Sequence, residues 1–538
     1  MDYPYLDTVI YDDFSAMLKG RFETSSKTVA LRYFEGEKIT DITYAEMTRQ
    51  VACMYDFLKS ENLLTKHVAI LSENRYEYIV IYLATILNAV VVPMDKEATP
   101  EIVSEMMERF DIDAVFVTDK TRSKIDPSSE KTNENANVNA GNNTLKIYSI
   151  DHDFPEIIKR EVLVADFFEE TKDTDKDRFA VLASTSGTDG KMKGVMLSQY
   201  NVITNIRGTL ENNILKSPTL AFLPMNHTYG FNPCILATLY NGTTLCLNTD
   251  LKHLLRDIKA FNPFFFGAVP MVIEGMYDGI LRGVKKQKKE KSFNRLLKIS
   301  NSLRKHGIDV RHLFFGKIIA PNLRLVVNGG APLRKEYVEK FDELGIMILN
   351  GYGLTECSPT IAVSREFNNV PGSAGTIMKH IDVKIAEDGE ILVKGPCVML
   401  GYYMDEEATK ACMKDGYFAT GDIGHTDGKV IFVTGRKKNL IITENGKNVA
   451  PEFLEDKISA FEEVAECLVV AKKVRSSSVI CAKVFFKENT RDSEILFQEH
   501  LKELNENLPT YMRIADYEIM SEEFEKNSSR KIIRKLYT

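Results

Sequence analysis

The chain has 538 residues, 44% of them hydrophobic and 27% charged, and carries a net charge of −7. That balance describes a soluble globular protein of roughly three to four domain-sized units, and its acidity argues against general nucleic-acid binding, which favours strongly basic surfaces. Eight scattered cysteines without a CxxC pair, and nine dispersed histidines without HxxxH or HExxH, argue against a disulfide framework, a zinc site or any protein-held transition metal, and suit a reducing cytosol.

Residues 1–14 are acidic and aromatic and lack the basic and apolar regions of a signal peptide, so a cytoplasmic location is expected. Apolar periodicity predicts a helix over 44–62 leading to a strand at 68–71, then a helix ending near Asn88 that turns into a buried strand at 89–92. The run 78–94 is the most apolar of the chain, but Asn88 and Pro93 interrupt it, and it falls short of the ~20 apolar residues of a membrane span. Helical and strand patterns alternate through much of the first 430 residues, which predicts α/β architecture. Segment 121–144 is polar and Asn-rich, with too few large apolar side chains to offset the entropy of ordering, and reads as a mobile surface insertion.

Two short strands, 179–185 and 195–197, bracket the string Thr185-Ser186-Gly187-Thr188-Asp189-Gly190-Lys191-Met192-Lys193-Gly194. Glycines let a backbone approach an anion with its N–H groups turned inward, Thr185, Ser186 and Thr188 add hydroxyl donors, and Lys193 adds positive charge. The spacing is not that of a Walker A loop: two residues, not four, separate Gly187 from Gly190, and Lys191 precedes methionine. Further on, the basic stretch 282–306 sets Phe293, Leu296, Leu297 and Leu303 at helical spacing behind a lysine-rich face. It reads as a solvated helix packed by its apolar stripe, with peripheral contact to an anionic membrane surface as the alternative.

After an expected strand at 323–327 comes Asn328-Gly329-Gly330-Ala331-Pro332, and after the apolar run 346–349 comes Asn350-Gly351-Tyr352-Gly353-Leu354-Thr355-Glu356. A tyrosine between glycines offers an open ring face to a base, and a carboxylate beside a hydroxyl at a strand end suits magnesium, a hard ion. A polar break at 435–439 marks the expected boundary between a part spanning 1–436 and a C-terminal domain spanning 437–538, with strands at 467–471 and 479–486.

Taken together, these strings resemble the signatures of the adenylate-forming (acyl-activating) superfamily, in family order over about 44–535. TSGTDGKMKG is similar to the family's TSGTTGxPKG, with Asp189 and Met192 departing from it, and NGYGLTE to its YGxTE. The resemblance implies that Thr185, Ser186, Gly187, Thr188, Gly190 and Lys193 grip the β- and γ-phosphates of ATP. By the same resemblance Gly329, Gly330 and Ala331 line the adenine edge, Tyr352 stacks on adenine beside Asn350 and Gly351, and Thr355 meets the α-phosphate. Glu356, with Thr185, would hold Mg²⁺. Asp422 in TGD resembles the ribose-binding aspartate, a carboxylate able to accept from both hydroxyls, and Arg436 in TGR a second ribose contact. His227 in LPMNHTYG would position or gate the carboxylate and thiol. The terminal string 524–535 resembles PxTxSGKIxR and would make Lys531 the catalytic lysine, with Arg530 and Asn527 departing from the pattern.

GRKK at 435–438 and GKNVAP at 446–451 look most like the long-chain fatty acyl-CoA synthetases, which would make Lys438 a hinge and set Gly446, Lys447 and Asn448 on the thiol side. The resemblance implies a large N-terminal α/β part of sheets and a small barrel with a mobile α+β C-terminal domain. It implies ATP-dependent activation of a medium- to long-chain fatty acid to acyl-AMP, then transfer to coenzyme A. The alternatives are transfer to the pantetheine arm of a carrier protein and, from another class, a nucleotide-binding protein that has lost catalysis.

Overall fold

A computed structural model describes residues 4–125, 137–140, 143–186, 192–316, 318, 320–443, 447–474, 477–526 and 532–538. The chain forms two compact units, Met1–Asp382 with Val393–Phe418, and Val383–Leu392 with Ala419–Thr538.

One sheet of the first unit has the strand order Gly401–Tyr402, Met192–Ser198, Phe179–Ser186, Val90–Met94, His67–Leu71, Ala114–Val117, Asn143–Ser149, Asn137–Ala140. Its middle strands are parallel, joined by crossovers such as the helix Tyr76–Asn88 between His67–Leu71 and Val90–Met94. That helix is buried on nearly every side, so the apolar run at 78–94 is a core helix followed by a strand, as its length implied. The helix over 44–62 is present as Tyr44–Ser60.

The second sheet of this unit runs Gly375–Ile377, Thr360–Val363, Met347–Gly353, Leu325–Asn328, Phe265–Ala268, Thr219–Ala221, Leu245–Leu247, Val29–Glu35, Lys38–Thr43. The helix Gln199–Asn212 touches the hairpin strands Phe179–Ser186 and Met192–Ser198 of one sheet and Thr360–Val363 of the other. It begins with a capping box, Ser198 and Asn201 each satisfying the other's backbone N–H. Because both sides of this helix are covered, its asparagines are buried too, and each needs a partner.

Segment 121–144 departs in part from its reading. Residues 126–136 and 141–142 lie outside the described residues, but Asn137–Ala140 pairs antiparallel with Asn143–Ser149, which lies parallel to Ala114–Val117. Hydrogen bonds between main chains order this edge, and they require no apolar side chains. The stretch 282–306 is two helices rather than one, Pro270–Lys286 and Glu290–Lys305, parted at Lys288, whose φ is +56°. Phe293 is buried and Leu296 and Leu297 pack on the same core, with the lysines exposed, so the apolar stripe faces inward. Among the described residues no helix is long and apolar enough to cross a membrane.

In the second unit the antiparallel strands Val464–Val474 and Ser477–Phe486 carry a third, parallel strand, Asp516–Ile519. The helices Pro451–Ile458 and Arg491–Glu506 cover this sheet through Leu454, Ile458, Phe497 and Leu501. The chain is thus mixed α/β, a large unit of sheets and helices with a smaller C-terminal α+β unit.

Candidate functional site

The two ends of the string 185–194 lie on paired antiparallel strands, with Thr185 opposite Lys193 and Ser184 opposite Gly194. Gly187, Thr188, Asp189, Gly190 and Lys191 lie outside the described residues, and Ser186 is described only as the end of its strand. Gly194 has a packing reason to be glycine: a Cβ there would come within 2.8 Å of both Leu182 and Phe110. Met192 opens the return strand and packs against the core of its sheet, which accounts for an apolar residue at that position. The Lys193 ammonium lies 4.8 Å from the ring centroid of Tyr402.

NGYG does not follow a strand but is one. Met347–Gly353 continues through it, placing Gly351 opposite Val363 and Tyr352 opposite Ala362. A Cβ on Gly353 would sit 1.8 Å from the carbonyl oxygen of Pro359, so only glycine allows the chain to fold back this closely. The strand then gives way to a 3₁₀ turn, Thr355–Cys357, and to Ser358 in the left-handed region at φ +69°.

This turn is pinned by side chains to which the sequence assigned no role. Asn205 Nδ2 donates to the carbonyls of Cys357 (3.1 Å) and Thr360 (2.7 Å), and its Oδ1 accepts from the N–H of Thr360 at 3.2 Å. Asn232 Nδ2 donates to Ser358 O at 2.9 Å, and Ser358 Oγ to Cys397 O at 2.8 Å. From the other side, Met399 N–H donates to Glu356 O (2.9 Å) and Tyr402 Oη to Glu356 Oε1 (2.9 Å). Burial and the adjacent Glu356 carboxylate push the Tyr402 phenol well up, so it remains a proton donor. The signal that could have revealed Asn205 is its spacing: Asn201, Asn205 and Asn212 recur on a helix whose other residues mark it as buried. Nothing local to Tyr402 signals its role.

His227 caps a short helix, Thr228–Gly230, that runs on into a π-helical turn, Phe231–Leu236. Thr228 Oγ1 lies 3.5 Å from Thr355 Oγ1, which joins the His227 stretch to the Glu356 turn. Tyr229 Oη donates to Val327 O at 2.8 Å, and its ring lies so close to Gly329 that a Cβ there would be 2.4 Å from Cζ. Gly330 adopts φ +81°, open to glycine at little strain. Asn328 and Asn350 face each other across parallel strands; Asn328 Nδ2 donates to Ala331 O (3.1 Å) and Asn350 Oδ1 (3.3 Å). The first unit therefore brings together Thr185 and Lys193, the Thr355–Glu356 turn, the His227 stretch and the 328–331 loop. Among the described residues no group of three or more His, Cys, Asp or Glu could hold a metal ion.

The other residues singled out in the sequence belong to the second unit. Asp422, buried, lies opposite Arg436 in the hairpin Tyr417–Thr426 and Val430–Arg436, with Arg436 Nε 2.8 Å from Asp422 Oδ1. Gly421, at φ +72°, donates its N–H to Glu390 Oε1 at 3.0 Å, and Lys437 Nζ meets Glu390 Oε2 at 2.9 Å and Asp388 Oδ2 at 2.5 Å. These two carboxylates push the Lys437 ammonium up. Lys438 sits in the 3₁₀ turn Lys437–Asn439. Lys447 and Asn448 are exposed on the hairpin Ile441–Ile442 with Asn448–Val449, while Gly446 lies outside the described residues. Lys531 also lies outside them. Near it, Lys526 and Ile532 form a β-bridge, and Arg534 Nη2 donates to both oxygens of Glu455 at 2.6 and 2.8 Å.

Residues 19–403 match the family of AMP-binding enzymes, and residues 438–538 match the AMP-binding enzyme C-terminal domain. The chain is 30% identical over 461 residues to a long-chain-fatty-acid–CoA ligase of Mycobacterium bovis, covering 80% of this chain and 75% of that one. It is 26% identical over 525 residues to a 2-succinylbenzoate–CoA ligase of Listeria monocytogenes, covering 96% and 97%. Its fold is similar to that of a Mycobacterium tuberculosis fatty acyl CoA synthetase, with a TM-score of 0.69 at 20% identity over 98% of this chain and 97% of the other.

Proposed function

Because the chain belongs to the family of AMP-binding enzymes, we propose that it is an acid–thiol ligase that activates a carboxylic acid with ATP, through acyl-AMP, and passes the acyl group to coenzyme A. The observation that carries this reading is the grouping of Lys193 and Glu356 on one side chain, Tyr402: the ammonium lies over its ring and the carboxylate accepts its O–H. A cation from a phosphate hairpin and a carboxylate beside a hydroxyl suit a triphosphate and the divalent ion that accompanies it.

The chemistry follows from charge. Attack of a carboxylate on the α-phosphate brings two anions together, and groups that bridge them stabilise the charge that develops. We assign that bridge to Lys531, the α-phosphate contact to Thr355, and the hold on departing pyrophosphate to Lys193 with the hydroxyls of the hairpin. Tyr352 is assigned to adenine, with Gly329, Gly330 and Ala331 along its edge, and Asp422 and Arg436 to the ribose. Glu356 and the Thr185 hydroxyl offer hard oxygens, which suit a Mg²⁺ whose remaining oxygens come from the nucleotide. When bound, such an ion would neutralise phosphate charge. Lys438 is assigned as the hinge of a C-terminal unit that changes position between the two half-reactions, with Gly446, Lys447 and Asn448 toward the thiol.

We propose a medium- to long-chain fatty acid as substrate. Support comes from GRKK at 435–438 and GKN at 446–448 and from the mycobacterial relative named for long-chain fatty acids. Pyrophosphate release should be measured with a panel of medium- and long-chain fatty acids, 2-succinylbenzoate and 4-coumarate, followed by acyl transfer to coenzyme A or to a pantetheinylated carrier protein. Release driven best by a fatty acid with coenzyme A as acceptor supports the reading. Preference for an aryl acid or a carrier overturns its finer part, and no release with any acid leaves a nucleotide-binding protein.

A further inference from the structure

The strand Gly401–Tyr402 joins two parts of the site that lie far apart in the chain. Its residues pair with the return strand of the phosphate hairpin, Gly401 opposite Met196 and Tyr402 opposite Val195. Backbone bonds on either side complete the attachment, from Leu400 N–H to Met196 O (2.9 Å) and from Tyr403 N–H to Gly194 O (2.8 Å). One residue earlier, Met399 N–H is bonded to the carbonyl of Glu356. Residues 399–403 therefore splice the Glu356 turn onto the strand that carries Lys193.

Tyr402 is held firmly enough to act at this splice. It is buried, and its N–H donates to Thr409 Oγ1 at 2.8 Å. Gly401 before it, at φ +148°, has a backbone conformation that side chains rarely adopt, and a Cβ there would press on Thr409 at 3.0 Å. Resting on the functional reading above, we infer that Tyr402 is a positioning residue serving both charged groups. Its hydroxyl holds Glu356 in the rotamer that meets the divalent ion, and its ring face holds Lys193 toward the phosphates. The two roles rest on different atoms, so they separate by substitution: Tyr402→Phe removes only the hydroxyl, and Tyr402→Leu removes the ring as well.

The test is calorimetric ATP binding by the full chain, in excess EDTA and over a series of Mg²⁺ concentrations, for the wild type and both variants. The same proteins are checked for an unchanged thermal midpoint and for carboxylate-dependent pyrophosphate exchange. Tyr402→Phe is expected to bind ATP as the wild type does in EDTA but to need about 10- to 100-fold more Mg²⁺ for the same gain in affinity, the range for a hydrogen bond to a charged group. Tyr402→Leu is expected to show that change and, in addition, weaker ATP binding in EDTA. An unaltered Mg²⁺ dependence in Tyr402→Phe, or equal loss of affinity with and without Mg²⁺ in both variants, overturns the inference. A wild type that binds ATP yet exchanges no pyrophosphate with any acid overturns the functional reading instead, and leaves the Tyr402 comparison readable in the calorimeter. A wild type that does not bind ATP overturns both.

Discussion

Asp422 stands directly opposite Arg436 in an antiparallel pair, its carboxylate oxygen 2.8 Å from the guanidinium Nε. The aspartate is buried while nearly half of the arginine side chain remains exposed, so the arginine compensates a carboxylate that could not otherwise leave water at modest cost. Two residues assigned to the ribose thus hold one another before any nucleotide arrives. Asp422→Asn should weaken ATP binding by about 10- to 100-fold, the range for losing a charged hydrogen bond. Arg436→Lys, which keeps the charge, should weaken it less. Calorimetric titration with ATP checks both; equal affinities for Asp422→Asn and the wild type would remove Asp422 from the site.

Gly353→Ala should be severe. A methyl group 1.8 Å from the Pro359 carbonyl oxygen forces the Glu356 turn away from its strand, a backbone shift rather than a rotamer change. Overpacking of this kind costs about 1–3 kcal/mol or more. A drop in thermal midpoint accompanied by loss of pyrophosphate exchange is expected. Gly372→Ala, at a glycine with φ +79° and nothing within 4 Å of its Cβ, is the control for strain alone and should keep exchange activity.

Asn205→Leu tests whether the buried asparagines of helix Gln199–Asn212 position the chemistry. It removes the side-chain partner of the carbonyls of Cys357 and Thr360 and of the N–H of Thr360. Each buried hydrogen bond lost costs about 0.5–1.5 kcal/mol, so stability measured by urea unfolding should fall. In protein that remains folded, kcat should fall and the KM for ATP in the presence of Mg²⁺ should rise, because the turn bearing Thr355 and Glu356 is displaced.

Lys531→Ala should abolish carboxylate-dependent pyrophosphate exchange yet leave thioester formation from supplied acyl-adenylate. Lys438→Pro should do the reverse, sparing exchange and impairing thioester formation. Single-turnover assays of the two half-reactions separate them. Equal loss of both half-reactions in Lys531→Ala, or unchanged overall turnover in Lys438→Pro, contradicts the division of labour between these lysines.

Much of this protein was legible in the order of its residues. The helix 44–62, the strand 68–71, the hairpin around 185–194 and the strands near 467–471 and 479–486 announce themselves because local periodicity and glycine placement reflect local conformation. The strings TSGTDGKMKG, NGYGLTE and YFATGD announced the family, whose models match residues 19–403 and 438–538. Where local reading failed, the missing cause was non-local. NGYG is expected from the sequence only to follow the apolar run 346–349, because its glycines add no strand pattern of their own, yet Thr360–Val363, folding back beside it, makes it part of the strand. The polar C-terminal end of the 121–144 segment, at Asn137–Ala140 and from Asn143, became strand because a sheet edge was there to receive it.

The sequence by itself determined the family and the α/β class, since each depends on residue identity along a short stretch. Only the tertiary structure decided what holds those residues in place. Tyr402 lies 46 positions from Glu356 and Asn205 lies 155 from Thr360. Hydrogen bonds over such separations exist only once the sheets have brought the strands together, and no spacing along the chain encodes them.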